Sequence, residues 1–367
     1  MNENEAALLK LIRISFGMEQ PTGFADSVDW NIVFDLSIRH GVVAIVVDGI
    51  QQCREKLSEN LFLLESIEYE DLKYKWLGYT MYYEGLNKQK LMRINCLSKF
   101  LLDNGLNMMI LKGFGLSLYY PYPAYRPLGD LDIYIMGEDL NLSSRADMLV
   151  KSQLKIDVTK SKIGHHSHFD YQGLSVENHY EFSNTYFGGE SNYYLERTLK
   201  ELSTENPRKF GDIYLPSVNF NAVFLMWHMA THLCSERITL KQLCDWMLFI
   251  NVEHDNINWS RIETIWRETG LYEFASVING LLVDYFGMNR GLVPNLSTNV
   301  ALKRRVVLDS LKMQRRSQSR VIRFFDYCAN GWKYKLTTKE GWEIYMLKSA
   351  RLHLFHAKDI KEELLFE

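Results

Sequence analysis

ILKGFGLSLYYPYPAYRPLGDLDIYI, residues 110–135, joins two strand patterns through a glycine turn and a proline-rich loop, and the rest of the chain can be read outward from it. Its start closes a short apolar run, NMMILK (107–112), bounded by glycines at 105 and 113, which suits a buried strand. Its end opens DLDIYIM (130–136), an alternating run rich in β-branched residues. Between them, Gly113-Phe114-Gly115 offers a turn, followed by one or two helical turns and a loop punctuated by Pro121, Pro123 and Pro127. A third strand candidate, GLSVENHYEF (173–182), alternates throughout. It would place Leu174, Val176, Tyr180 and Phe182 on one face and Ser175, Glu177, His179 and Glu181 on the other.

Helical signals flank this unit. Upstream, Leu8, Leu11, Ile12 and Phe16 keep the spacing of one helical face. Ser27 or Asp29 can cap a second helix that stops at His40-Gly41, and a long helical stretch runs from about Glu68 to Asp103-Asn104-Gly105. Downstream of Pro216, NAVFLMWHMATHLC (221–234) and TLKQLCDWMLFI (239–250) are strongly apolar helices, with more to follow. The expected class is α+β: an α/β core at 106–215, an N-terminal helical region at 1–105 and a C-terminal helical domain at 216–367.

A chain of 367 residues has room for two or three domains sharing an interface. With 42 Lys+Arg against 45 Asp+Glu, no whole-chain field marks it as a polyanion or membrane binder, so such binding would need a local patch. The acidic start, MNENEAALLKLIRISFGM, lacks the basic segment of a secretory signal and reads as cytoplasmic. Apolar runs such as VVAIVV (42–47) fall short of the ~20 residues that cross a bilayer, and no membrane partner is expected. Five scattered cysteines without CxxC spacing read as reduced, mostly buried thiols.

The chemistry centres on carboxylates. Residues two apart on a strand point the same way with Cα atoms ~6.5–7 Å apart, so Asp130 and Asp132 share a face while Leu131, Ile133 and Ile135 take the core side. Paired hard oxygens suit Mg²⁺ or Mn²⁺. Glu177 has the same arrangement on its own strand, and if the two strands are neighbours, three carboxylates converge, enough for two metals in phosphoryl chemistry. An Asp-x-Asp alone is a common strand start, so the combination carries the reading.

Taken together, the LKG turn, the helix, an Arg shortly before Asp-x-Asp and the VENH strand resemble the polymerase-β-like nucleotidyltransferases. Within that superfamily they are most similar to a bacterial family called uncharacterised nucleotidyltransferase, and the likeness extends into the flanking helices. The resemblance implies a small mixed β-sheet nucleotidyltransferase core, with Asp130, Asp132 and Glu177 as metal ligands and catalytic residues. It implies an NTP donor and an acceptor that could be a small molecule, a protein or RNA. Lys112, Gly113, Gly115 and Arg126 are the candidate phosphate contacts, through side-chain cations and backbone amides. The chain departs from compact members in having Gly113-Phe114-Gly115 where they carry Gly-Ser. That departure motivates the alternative, a catalytically decayed binding or regulatory protein on the same scaffold.

Three other features stand apart. GHHSHFD (164–170) gathers His165, His166 and His168, a tract that could bind a transition metal, contact nucleotide or acceptor, or be plain surface loop. His228 and His232 have a helical zinc spacing but lack the metalloprotease Glu, and read as lining an interdomain cleft, with Asp245 later in the chain. Between Lys303 and Arg323, eight basic residues meet only Asp309, which suits an amphipathic helix or an RNA-binding patch.

Overall fold

A computed structural model describes residues 1–56, 70–137, 139, 141–160, 164–183, 189–235, 237–312 and 330–339. The class is α+β. A seven-stranded mixed sheet contains β1 (Asn107–Ile110), β2 (Leu131–Met136), β3 (Thr159–Lys160), β4 (His166–Tyr171), β5 (Leu174–His179), β6 (Arg208–Phe210) and β7 (Ile213–Leu215). Its order is β3-β4-β5-β2-β1-β7-β6, with β2–β5 and β1–β7 parallel and the other pairs antiparallel.

Both faces of this sheet are covered, and the alternation of its strands assigns each side chain to one of two cores. Leu131, Ile133, Ile135, Leu174 and Val176 join Ile94, Leu97 and Leu101 of α4 (Glu70–Asp103) and Ala146 and Val150 of α6 (Leu142–Gln153). On the opposite face, Met109, Leu111, Tyr134 and Met136 meet the second core. That core spans α1 (Glu3–Ser15), α2 (Trp30–Arg39), α3 (Val43–Lys56), α8 (Val218–Ser235), α9 (Leu240–Glu253), α10 (Trp259–Thr269), α11 (Tyr272–Phe286) and α12 (Val300–Leu311). Short α5 (Phe114–Ser117), α7 (Glu190–Thr204) and α13 (Gly331–Thr337) complete the helices used below. Among the described residues, no helix is long and apolar enough to cross a membrane.

Local chemistry sets the helix ends. Asn2 caps α1 in a reciprocal box with Glu5, Asp29 rather than Ser27 caps α2, and Thr239 caps α9 in a box with Gln242. The chain leaves α2 through His40 and Gly41, the latter at φ +65. One expectation needs correction. Phe182 does not share a face with Leu174 and Val176: β5 ends at His179, the amides of Tyr180 and Glu181 turn to the His165 carbonyl, and Phe182 drops into the opposite core. Of the cysteines, Cys53 and Cys244 are buried, Cys234 half-buried and Cys96 exposed, all four with free thiols, and Cys328 lies outside the described residues.

The crossing of α1 and α3 is tight enough to specify a residue. A Cβ on Gly49 would stand 2.3 Å from the Leu11 carbonyl oxygen. Gly49→Ala should therefore destabilise the protein: overpacking against backbone costs about 1–3 kcal/mol, which outweighs the helix-propensity gain of up to ~1 kcal/mol. A lower urea midpoint is the expected result, and an unchanged or raised one would show that the helices part freely.

Candidate functional site

Strand register assembles the site. In the parallel β2–β5 pair Asp132 lies directly opposite Glu177, and Tyr134 opposite His179. In the antiparallel β4–β5 pair His166 lies opposite His179, and His168 opposite Glu177. Because side chains alternate, Asp132, Glu177, His179 and His166 all project toward the face covered by the C-terminal helices. Asn178, between Glu177 and His179, points the other way and donates to the Ser143 carbonyl and to Asp147 of α6. The amide of Leu111 donates to the Asp132 carbonyl just beyond β1, and so delivers Lys112 beside the same carboxylate.

Asp132 is only 1% exposed. Its Oδ1 lies 2.9 Å from Lys112 Nζ and 3.2 Å from His179 Nε2. His179 Nε2 is also 3.6 Å from Glu177 Oε2, and His166 Nε2 is 3.9 Å from Glu177 Oε1. Lys112 further donates to Nε2 of His228 on α8, at 2.7 Å. His228 in turn stacks on His232, the ring centroids 4.5 Å apart.

The electrostatics follow from these contacts. Burial alone would raise the Glu177 carboxyl, yet its bond with His179 and the nearby His166 and Lys112 carry it down to about 2. Burial opposes charge on His179, but hydrogen bonds to Asp132 and Glu177 hold it up at about 9. Lys112 is likewise raised: burial works against its charge, and Asp132, Asp130 and Glu177 outweigh it. His228 goes the other way. Burial, then Lys112, His232 and His179 push it well below its ordinary value, leaving a neutral ring that accepts from Lys112. Burial also lowers His165 and His166.

A divalent cation fits this donor set. Asp132 Oδ2 is buried with no hydrogen-bond partner, a condition that calls for an explanation in a folded protein. Donor atoms of Asp132, Glu177 and His179 all lie within 4.8 Å of one another. Asp130 stands outside that cluster, exposed at the mouth of β2, although its charge reaches Lys112 and, on neighbouring helices, Lys90 and Lys241.

Two of the expected phosphate contacts also serve the fold. The Arg126 guanidinium is buried in a bidentate pair with Asp245 of α9, with Nε–Oδ1 at 2.7 Å and Nη2–Oδ2 at 2.8 Å, and Tyr120 donates to the same Oδ1 at 2.7 Å. A guanidinium withdrawn from water needs such a partner, and Asp245 uses both oxygens to supply it. Gly115 packs so closely on β7 that a Cβ would meet Leu215 at 3.1 Å. Gly113, at φ +64, makes the turn that brings Lys112 and α5 together.

Lys241, at the start of α9, carries no ion pair among the described residues. Its stem lies over Gly41, where a Cβ would come 3.4 Å from Lys241 Cδ. Burial, then repulsion from Arg126, brings its ammonium down to about 8 against the pull of Asp245 and Asp130. Sequence reasoning passed over it because one lysine in an apolar helix is unremarkable; its i,i+4 spacing to Asp245 was the available sign. Where it is described, the basic segment keeps Arg304, Arg305 and Lys312 exposed. Lys303 is buried against Asp284 and Arg305 lies over the Trp332 ring at 4.2 Å, while residues 313–323 lie outside the described residues.

A family model described as uncharacterised nucleotidyltransferase matches residues 26–287, well over half of the chain and all of the side chains named in this site. No curated protein and no solved structure matches.

Proposed function

The chain belongs to the family of uncharacterised nucleotidyltransferases, and from that membership we propose that it moves a nucleoside monophosphate from an NTP to a hydroxyl on an acceptor, using a polymerase-β-like site. The observation that carries the reading is Asp132 opposite Glu177 on adjacent parallel strands, with one buried Asp132 oxygen unmatched.

In this scheme Asp132 and Glu177, with Asp130 at the mouth, hold Mg²⁺ or Mn²⁺. When bound, the ion supplies charge neutralisation for the triphosphate and lowers the pKa of the acceptor hydroxyl. The acceptor oxygen attacks the α-phosphorus, the bond to the bridging oxygen breaks, and pyrophosphate leaves in line. Glu177, ionised at neutral pH, is too weak a base to keep the acceptor proton and instead orients the hydroxyl, the proton passing to water. His179 donates to both carboxylates and keeps them converged. Lys112 and Lys241 offer ammonium groups to phosphate oxygens, supplementing the backbone turn at Gly113 where Gly-Ser is lacking.

Calorimetric titration of the full chain with ATP in the presence of Mg²⁺ tests this. Wild type should bind, and Lys241→Met should weaken binding roughly ten- to hundredfold, the worth of one hydrogen bond to a charged group. Equal affinity in the variant would remove Lys241 from the scheme. The second reading, a binding or regulatory protein, is favoured by one observation: Asp132 Oδ1 is already shared by Lys112 and His179, so the site is partly neutralised from within. ATP binding without release of pyrophosphate, whatever acceptor is offered, would support that reading instead.

A further inference from the structure

We propose that His165, His166 and His179 form a site for a transition-metal ion of the imidazole-preferring class, with zinc the expected occupant. The proposal goes beyond nucleotidyl transfer and does not rest on it, although His179 belongs to both sites and must give up the proton it shares with Asp132 and Glu177 to bind the ion.

The sheet builds the arrangement in advance. His166 and His179 face each other across antiparallel β4–β5, so their Cβ atoms are fixed at about 4.5–5.5 Å before any ion arrives. His165 lies just outside β4, its carbonyl pinned by the amides of Tyr180 and Glu181. The three rings form a compact triangle with centroids 4.8 Å (165–166), 5.1 Å (165–179) and 5.2 Å (166–179) apart. One donor atom from each ring lies within 4.8 Å of the others.

Two further observations point to a ligand rather than to packing. The Nδ1 atoms of both His165 and His166 are buried and have no hydrogen-bond partner, a double vacancy in a small volume. Glu177 Oε1 lies 3.9 Å from His166 Nε2, the ring nitrogen away from the unpartnered Nδ1, where a carboxylate orients a metal-bound imidazole. Three imidazoles make a donor set that suits zinc and its neighbours, with a fourth position left open, whereas Mg²⁺ prefers an all-oxygen shell. Movement of about an ångström would draw the donors to the ~2.0–2.2 Å that zinc requires.

The test uses the full chain stripped with chelator, with Co²⁺ as the spectroscopic probe and Zn²⁺ as competitor. Wild type should take up Co²⁺ with visible ligand-field bands of a nitrogen-rich centre of low coordination number, and Zn²⁺ should abolish them. His165→Ala and His166→Ala should each weaken Co²⁺ binding by about tenfold or more. Asp132→Asn, which cripples the oxygen-rich nucleotide site, should leave the bands in place, so the two readings can fail separately. Thermal unfolding of each variant checks its fold, and His165→Ala, outside the strand, carries the test if His166→Ala does not fold. Absence of bands in wild type would overturn the proposal, as would bands that survive both histidine variants or vanish only with Asp132→Asn.

Discussion

Asp132→Asn should abolish nucleotidyl transfer while leaving the protein folded, with kcat falling by at least about 10³-fold, the scale seen when one member of an interdependent catalytic set is removed. The substitution is nearly isosteric, yet it removes the charge on which two neighbours depend. Lys112 loses its ion-pair partner at 2.9 Å, and His179 loses one of the two carboxylates that hold its proton. The amide also gives a metal ion one neutral oxygen in place of a carboxylate. Pyrophosphate release under saturating NTP and Mg²⁺ is the measurement, with near-ultraviolet circular dichroism to confirm packing. Release at the wild-type rate would place the chemistry elsewhere.

Asp245→Ala acts on stability first. Removing one partner of a buried ion pair leaves the other charge uncompensated, at a cost of about 3–5 kcal/mol. Here the stranded group is Arg126, and Tyr120 loses its acceptor as well. Urea unfolding should show the loss directly. The double change Arg126→Met with Asp245→Leu should recover most of it, because matched apolar groups leave no charge behind. If the single variant unfolded at the wild-type midpoint, Arg126 would have found water or another carboxylate, and its assignment to the fold rather than to phosphate would be wrong.

These two residues show where sequence legibility ends. Asp132 could be recognised because a strand writes its two faces into every second letter, and DLDIYI is unambiguous on that point. The facing of Glu177 was equally visible, but its position opposite Asp132 depends on β5 pairing in parallel with β2 across a long crossover, which no local pattern encodes. The pairing of Arg126 was hidden for the same reason: Asp245 lies 119 residues away on α9. Lys241 was passed over, and the neutral state of His228 was not legible, because their character comes from burial beside other charges, not from their own residue type. β6 and β7 have three residues each, too few for alternation to register.

The shared core of α1 and α11 bears on how the chain is made. α1 packs on α11, and Arg13 Nη1 donates to the Tyr285 carbonyl across 272 residues. Leu8, Leu11 and Ile12 leave the ribosome long before the helices that will cover them. At about 5–20 residues per second the interval is tens of seconds or so, during which an amphipathic helix stands without its partner. Until α11 is made, the apolar face of α1 lacks that cover. A stop codon after the sheet but before α11 would yield a polypeptide with Asp130, Asp132 and Glu177 of the candidate site present and α1 without its α11 partner.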